Sequence, residues 1–386
     1  MTLVLINQHG ADRVFAGHPW VFKSDVISTV GANPGDVVPV FLERPKQFLG
    51  QAFYNPKSQI TLRFITHRQE TIDRAFWKKR LEAAIRSRPK AFEKEGACRL
   101  VFSEADFLPG LIIDRYGEVL VLQTLSLGQD RLKAMWVELL AELFKPKAII
   151  ERNEPASRIL EGLQKQKGVL FGELPGALEI QEGEKHLFVD VLEGHKTGLY
   201  LDQSENHIAA RRYAKGRLLD LFAYHGGFAV QLADVTEEII AIDSSAPALA
   251  MAKKNLERNK IENVKLIEAN VFDHLRNLEK ERERFDTVVL DPPPFVASRK
   301  DIEGGRRGYK EINLRAMKLL KPGGVLITCS CSQNFNEAMF YEMLFDAALD
   351  AQRMVQVLEK RGAASDHPVL LTFPESYYLQ CWILRV

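Results

Sequence analysis

This 386-residue chain has no long apolar runs, few cysteines and no glycine fingerprint of a phosphate-binding loop. No stretch of eighteen or more apolar residues occurs, which excludes a helix crossing a bilayer. The start, MTLVLINQHGADRVF, is apolar but has no basic leader and no small-residue cleavage site, so no secretory signal is expected. The four cysteines, Cys98, Cys329, Cys331 and Cys381, make neither a zinc spacing nor a disulfide framework. A reducing cytoplasm and the absence of a metal site are expected. Neither G-x-G-x-x-G nor G-x-x-x-x-G-K-[ST] is present, which counts against nicotinamide enzymes and P-loop triphosphatases.

What is present is unevenly distributed. The overall charge is only +1, yet residues 1–90 hold 14 Lys and Arg against 7 Asp and Glu, a local net of +7 on a body of −6. A basic end on a mildly acidic body is where a polyanion would dock, although a solvated basic surface has the same pattern. VISTVG, DVVPVFL, QFLGQAFY and ITLRFIT read as short strands separated by turns at NPGD and ERPK, which predicts a small β-barrel over residues 1–70. Residues 71–95 switch to helical periodicity with a basic face. LIIDRYGEVLVLQTLS predicts a hairpin around Gly117, and RLKAMWVELLAELF a helix. Residues 71–185 are therefore expected to form a small α+β domain. From residue 186 to 386, the apolar segments GRLLDLFAY, EEIIAIDSS, NVKLIEAN, FDTVVLDPP and GGVLITCSCS alternate with helical ones, which predicts an α/β, doubly wound, Rossmann-like sheet.

In such sheets ligands bind beyond the carboxyl ends of the strands. Four strand ends carry suggestive residues: Asp220 followed by Gly226 and Gly227, Asp243, Asn270 beside Val271, and Asp291. Each alone is more often a helix cap than a ligand. Asp243, 23 residues after Asp220, can accept both hydrogen bonds of a ribose diol. The order acid-then-glycine, acid, Asx, Asp-Pro-Pro resembles class I S-adenosylmethionine methyltransferases. That resemblance places Asp220 and Gly226 at the methionine end, Asp243 on the ribose, and Asn270 with Val271 at the adenine, with Phe222 and Asp291 as further candidate cofactor contacts. Phe222 and Tyr224 stand where glycines are usual.

Asp291-Pro-Pro-Pro-Phe295 ends an apolar strand, and two chemistries fit it. It can hold an exocyclic amino group for N-methylation of a purine. Alternatively Asp291 binds the N3 edge of a cytosine while a thiolate adds to C6, making C5 nucleophilic enough to take a methyl group. Thr328-Cys-Ser-Cys-Ser332 offers the thiol, with Cys331 favoured at the mouth of the turn and Cys329 two residues behind. The plain alternative is that both are small buried residues. Gly304-Gly-Arg-Arg-Gly-Tyr-Lys310 predicts a loop in which Arg306, Arg307, Tyr309 and Lys310 contact phosphate and stack on a base, or simply a basic surface loop. Gly194–Gln203 is polar enough to lid the cofactor, with Gln203 as a contact. His207 and His225 lie near these motifs without an assignable role.

Taken together, Gly17-His-Pro-Trp-Val-Phe22, Leu108–Gly117, His195–Gln203, Asp220–Ala229, Asp291-Pro-Pro, Gly308-Tyr-Lys-Glu-Ile-Asn313, Cys329-Ser-Cys-Ser332 and Asp366-His-Pro368 resemble the ribosomal large-subunit methyltransferase I family, which makes 5-methylcytosine in 23S rRNA. The resemblance spans nearly the whole chain. It implies an N-terminal PUA domain, a central α+β domain, a C-terminal methyltransferase domain using S-adenosylmethionine, and a nucleophilic cysteine at Cys331. The implied partner is 23S rRNA in an unassembled or single-stranded region. A homodimer is left open, and so is a non-catalytic RNA-binding assembly role. Many RNA cytosine-5 methyltransferases carry a second cysteine beside the Asp-Pro element. This chain has Pro293-Pro294-Phe295 there, so product release must use another base or water.

Overall fold

The computed structural model describes residues 2–386 and divides into two compact units. The first comprises Met1–Ile180, Val189–Leu201 and Ser365–Ser376; the second comprises Gln181–Phe188, Asp202–Ala364 and Tyr377–Val386. No helix among the described residues is long and apolar enough to cross a membrane.

The first unit opens with β1 (Leu3–Ile6), α1 (Gln8–Phe15), β2 (Trp20–Val21), β3 (Val26–Val30), β4 (Val37–Leu42), β5 (Gln47–Tyr54) and β6 (Leu62–Thr66). The predicted strands are present. α1, unforeseen, is capped by Asn7, whose side chain accepts from the Gly10 N–H. The six strands form one sheet in the order β2-β6-β5-β4-β1-β3. In β4 the side chains of Val38, Val40 and Leu42 are buried and alternate with half-buried neighbours, the period of a strand with one face in the core. Gly50 sits at φ 149, where a Cβ would fall 2.3 Å from the Thr66 carbonyl oxygen, so only glycine lets β5 approach β6 there.

α2 (Arg74–Arg86) follows. It starts at the Asp73 cap and buries Trp77, Leu81, Ala84 and Ile85 at helical spacing. The remaining elements are β7 (Ala97–Phe102), β8 (Leu111–Tyr116), β9 (Val119–Thr124), α3 (Leu127–Arg131), α4 (Lys133–Phe144), β10 (Ala148–Asn153), α5 (Ser157–Leu160) and β11 (Gln166–Gly172). They give a five-stranded sheet ordered β11-β10-β9-β8-β7. The predicted hairpin is β8–β9, with Gly117 at φ 56 in its turn. Every residue of β8 and β9 is buried, because helices and strands cover both faces. Phe53 of β5 stacks on Trp77, and Trp77 meets Trp136 edge-on, so the two sheets of this unit share a core. The Asp366-His-Pro motif belongs to this unit. The Asp366 carboxylate accepts the Arg99 N–H at 2.8 Å, and Arg88 donates to the Asp366 carbonyl at 3.2 Å.

A short hairpin, β12 (Leu178–Glu182) and β13 (Lys185–Val189), leads to the second unit. Its elements are α6 (Ser204–Ala210), β14 (Arg217–Leu221), α7 (Gly227–Leu232), β15 (Glu238–Asp243), α8 (Ala246–Arg258), β16 (Val264–Glu268), α9 (Val271–Lys280), β17 (Phe285–Leu290), α10 (Ile302–Leu319), β18 (Leu320–Ser330), α11 (Glu337–Ala351), β19 (Gln356–Arg361) and β20 (Gln380–Arg385). The sheet runs β16-β15-β14-β17-β18-β20-β19, parallel except for β20, which pairs antiparallel with β18 and β19. Strand order reverses between β14 and β17, so the crevice beyond their carboxyl ends is the expected ligand site.

One predicted loop is absent. Gly304–Lys310 lies inside α10, an 18-residue helix, despite three glycines that each cost a helix ~1 kcal/mol relative to alanine. Tertiary packing overrides that local preference, because Gly305 and Gly308 lie against the loop that follows Asp291.

Candidate active site

β14 is buried along Leu218–Leu221 and delivers Asp220 to the crevice with 1% of its surface exposed. The Ala229 backbone N–H donates to this carboxylate, while Oδ2 has no hydrogen-bond partner. Leaving a buried acceptor unsatisfied costs ~1–3 kcal/mol, so this oxygen has capacity for a further hydrogen bond. Burial first, and the Asp291 carboxylate second, push the Asp220 pKa up to about 7. The turn that follows holds Phe222 at φ 64, Tyr224 at φ 49 and Gly226 at φ 77. The aromatic residues thus adopt the left-handed conformation that glycines usually supply, at ~1–2 kcal/mol each. They preserve the tight turn and add half-buried rings beside it.

Asp243 ends β15. Its Oδ2 accepts from the Tyr224 N–H at 2.9 Å and its Oδ1 from the Ser245 N–H at 2.8 Å. Each oxygen retains a free lone pair, enough for the two hydroxyls of a diol. Asn270 is exposed and caps α9, its side-chain oxygen accepting from the Phe272 and Asp273 N–H groups at 3.0 and 3.3 Å. Val271 is buried in the core, so it offers only its backbone to the crevice.

Asp291 follows β17. Its Oδ1 accepts from Gln203 Nε2 at 2.8 Å, Gln203 Oε1 accepts from Asn206 Nδ2 at 2.7 Å, and Asn206 Oδ1 accepts from Arg361 Nε at 2.7 Å. This chain of buried amides fixes one face of the carboxylate. Cys331, just past β18, is half-buried, with Sγ 3.8 Å from the Pro292 carbonyl oxygen. Cys329 is fully buried opposite Cys381 in the β18–β20 ladder. Burial, with the Cys381 thiol beside it, holds Cys329 well above the ordinary thiol range, so it stays protonated. The structure therefore brings Asp220, Asp243, Asp291 and Cys331 to the ends of neighbouring strands, with Gln203, just before α6, bonded to Asp291.

Residues 4–67 match the PUA-like domain family and residues 214–362 the methyltransferase domain family. The ribosomal RNA large subunit methyltransferase I of Citrobacter koseri is 40% identical, and those of Enterobacter sp. strain 638 and Escherichia coli strain UTI89 are 39% identical, each alignment covering 100% of both chains. The chain belongs to the ribosomal RNA large subunit methyltransferase I family. Two solved structures share its fold over their full lengths at 19% identity. One, from Streptococcus mutans, is described as a SAM-dependent methyltransferase, and the other as a methyltransferase complexed with SAH; their TM-scores are 0.85 and 0.86.

Within this family member the Gly304–Lys310 segment has a different task from the one its composition suggests. Tyr309 is fully buried, so it cannot stack on a base. Its hydroxyl meets Ser332 Oγ at 2.8 Å. Arg306 and Lys310 pair with Asp346 and Asp350 of α11, both at 2.7 Å, and only Arg307 of the four is exposed. A Cβ on Gly305 would fall 2.3 Å from Val296 Cγ2, and one on Gly308 3.2 Å from the Phe295 ring. The glycines let α10 lie against the Asp-Pro-Pro-Pro-Phe loop.

The Gly194–Leu201 segment is pinned within the first unit rather than hinged as a lid. Thr197 is buried, donates to Asp114 at 2.6 Å and hydrogen-bonds the Tyr116 hydroxyl at 2.9 Å. The basic helix is also largely committed internally. Arg74 and Lys78 pair with Glu142, Arg80 donates to the Ile65 and Phe107 carbonyls, and Arg88 is buried against Asp106, leaving Lys79 and Arg86 exposed.

Sequence reasoning missed the role of His207. Its Nδ1 pairs with Glu182 at 2.9 Å, and its ring fills the space a Cβ on Gly227 would need, 2.5 Å away. Burial alone would lower the imidazole pKa, but Glu182 and then Asp291 and Asp220 raise it above the ordinary value. The His207 imidazole thus feels both crevice carboxylates, Asp291 and Asp220. Nothing adjacent in sequence signals this, because Glu182 comes from a different hairpin 25 residues upstream.

Proposed function

We propose that this protein transfers a methyl group to C5 of a cytosine in ribosomal RNA, with Cys331 as the nucleophile and Asp291 on the N3/amino edge of the base. The observation that carries this reading is the half-buried Cys331 thiol lying against the carbonyl that follows Asp291, while its neighbour Cys329 is sealed in the core. The first half of the crevice fits S-adenosylmethionine. The unpartnered Asp220 Oδ2 suits the methionine ammonium, Asp243 the ribose diol, and Phe222, Gly226 and Gln203 line the turn between. Asn270 and Val271 stand beside the adenine position through their backbone. When bound, this cofactor supplies an electrophilic methyl group and leaves as S-adenosylhomocysteine.

Cys331 Sγ bonds to C6 of the cytosine and pushes an electron pair to C5, which forms the new bond to the methyl carbon. Asp291, oriented by Gln203, holds the N3/amino edge and so fixes the base for attack at C6. A base then takes the C5 proton, and the freed electron pair expels the Cys331 thiolate. The cytosine must be unpaired, which costs a few kcal/mol in a duplex and favours an open or unassembled region of 23S rRNA. In this reading residues 1–70 hold RNA as a PUA-like domain, 71–185 form the central domain and 186–386 the methyltransferase domain. Exposed Arg44, Arg68, Lys79, Arg86 and Arg307 supply phosphate contacts, so binding weakens by ~0.7 log unit per log unit of salt for each single-strand contact.

A ribosomal RNA fragment carrying 5-fluorocytidine tests the chemistry, because fluorine at C5 blocks proton loss and traps the adduct. Wild type is expected to form a cofactor-dependent covalent complex and Cys331→Ala none. No adduct with wild type, together with full activity in Cys331→Ala, would overturn the proposal. An N-methylated purine in the product would replace it with amino-group methylation.

A further inference from the structure

The glycine-rich stretch of α10 did not become a nucleic-acid loop, and its buried face has a job that neither base contact nor cofactor binding explains. Gly305, Gly308, Tyr309, Ile312 and Asn313 share one side of the helix, at the 3–4 residue spacing of a single face. That side touches both segments that carry the reacting groups. Tyr309 Oη accepts from the Phe295 N–H at 3.4 Å and lies 2.8 Å from Ser332 Oγ. Ser332 Oγ in turn accepts from the Val296 N–H at 3.2 Å. One turn further along, Asn313 Oδ1 accepts from Thr328 Oγ1 at 2.8 Å, and its Nδ2 donates to the Tyr309 carbonyl at 2.9 Å. The Tyr309 ring stacks on Phe335 with centroids 5.2 Å apart and packs on Phe295 at 4.7 Å. Tyr309, Asn313, Thr328 and Ser330 are fully buried and Ser332 is 1% exposed, so water does not compete for these bonds.

We propose that Tyr309 is a positioning residue for the methyl-transfer site: its hydroxyl ties the turn bearing Cys331 to the loop bearing Asp291, and so fixes the approach of the thiol to the base. The two segments come from different strands, β17 and β18, and beyond the strand ends their mutual placement depends on side chains. Tyr309 bonds to both, through the Phe295 N–H and Ser332 Oγ, beside the direct Cys331–Pro292 and Asn334–Ala297 contacts. Burial keeps the phenol neutral, so it remains a hydrogen-bonding hydroxyl at working pH. This inference rests on Cys331 being the nucleophile.

Tyr309→Phe keeps the stacked ring and removes only the joint. The expected result is a fall in kcat of about 10- to 100-fold, the usual effect of misplacing a reacting group by a fraction of an ångström to an ångström. KM for S-adenosylmethionine and for RNA should change less than about threefold. Cys331 is the one cysteine of the four that is not buried, so alkylation by iodoacetamide reports on it without any methyl transfer. Its rate should shift at least about threefold in Tyr309→Phe. Ser332→Ala should give a similar kcat loss, and the double variant should be little worse than either single one, as for two ends of one bond. Unchanged kcat and unchanged Cys331 alkylation in Tyr309→Phe would overturn the proposal. If alkylation shifts but Cys331→Ala retains activity, Tyr309 still orders the turn and it is the thiolate chemistry that fails. If Tyr309→Phe melts far below wild type, the alkylation rate and kcat of Ser332→Ala decide the question.

Discussion

At the ends of β14 and β15 the crevice carboxylates are held by backbone: the Ala229 N–H on Asp220, and the Tyr224 and Ser245 N–H groups on Asp243. At the ends of β17 and β18 the proposed reacting groups are held by side chains: Gln203 on Asp291, and Tyr309, Ser332 and Asn313 around the Cys331 turn. Backbone-held groups tolerate substitution of their neighbours, because any residue supplies an N–H. Side-chain-held groups depend on particular residues. The cofactor half should therefore fail by losing affinity, and the base half by losing rate.

The largest expected effect is in the base half. Cys331→Ala should lower kcat by more than about 10³-fold while KM for S-adenosylmethionine stays within about threefold. Cys329→Ala, two residues away and sealed against Cys381, should keep activity and lose ~1–2 kcal/mol of stability from its cavity, read by denaturant titration. Equal kcat losses for the two would erase the distinction between them. In the cofactor half, Asp243→Ala should raise KM for S-adenosylmethionine about 10- to 100-fold, with a smaller change in kcat. A pure kcat effect would show that Asp243 does not bind the cofactor.

A stability pair sharpens the account of α10. Gly304 has nothing within 4 Å of an added Cβ, so Gly304→Ala should stabilise by ~0.5–1 kcal/mol. Gly305→Ala drives a methyl group into Val296 and the Phe295 carbonyl and should destabilise by ~1–3 kcal/mol, with a loss of kcat. Helical stabilisation at both positions would mean that close approach to the Phe295 loop is not why glycine is there.

The most pH-dependent effect belongs to Asp220. Its folded-state pKa of about 7 lies above the 3.8 of an ordinary aspartate, so between these values the native state binds a proton that the unfolded chain has released. This contribution to stability is complete below about pH 4 and is lost as pH rises through 7. Asp220→Asn removes the titration. The melting temperature of Asp220→Asn minus that of wild type should therefore grow from pH 4 to pH 8 in the absence of cofactor. A flat difference would mean that the Asp220 carboxyl is not perturbed.

The cofactor half was the more legible in sequence, and the same contrast explains why. An apolar run ending in an acid is a local pattern, so Asp220 and Asp243 stand out from their own segments, as Asp291 does in the base half. Cys331 was separable from Cys329 because a strand that ends at Ser330 leaves the next residue at the crevice. The α10 face was not legible. Gly304, Gly305 and Gly308 weaken helix propensity locally, and the contact that requires glycine lies on a loop about ten residues away in sequence. Phe222 and Tyr224 stand where the first turn usually has glycine, yet they take up positive φ there, a strain that residue type alone does not announce. The pairing of His207 with Glu182, and the burial of Tyr309 against Ser332, likewise depend on long-range packing.

The base half is proposed to perform thiolate-assisted methylation of cytosine. Nucleoside mass spectrometry of 23S rRNA from a strain lacking this protein tests it most directly. The prediction is the loss of one 5-methylcytidine that wild type restores and Cys331→Ala does not. An unchanged 5-methylcytidine content, or the loss of an N-methylated purine in its place, would contradict it.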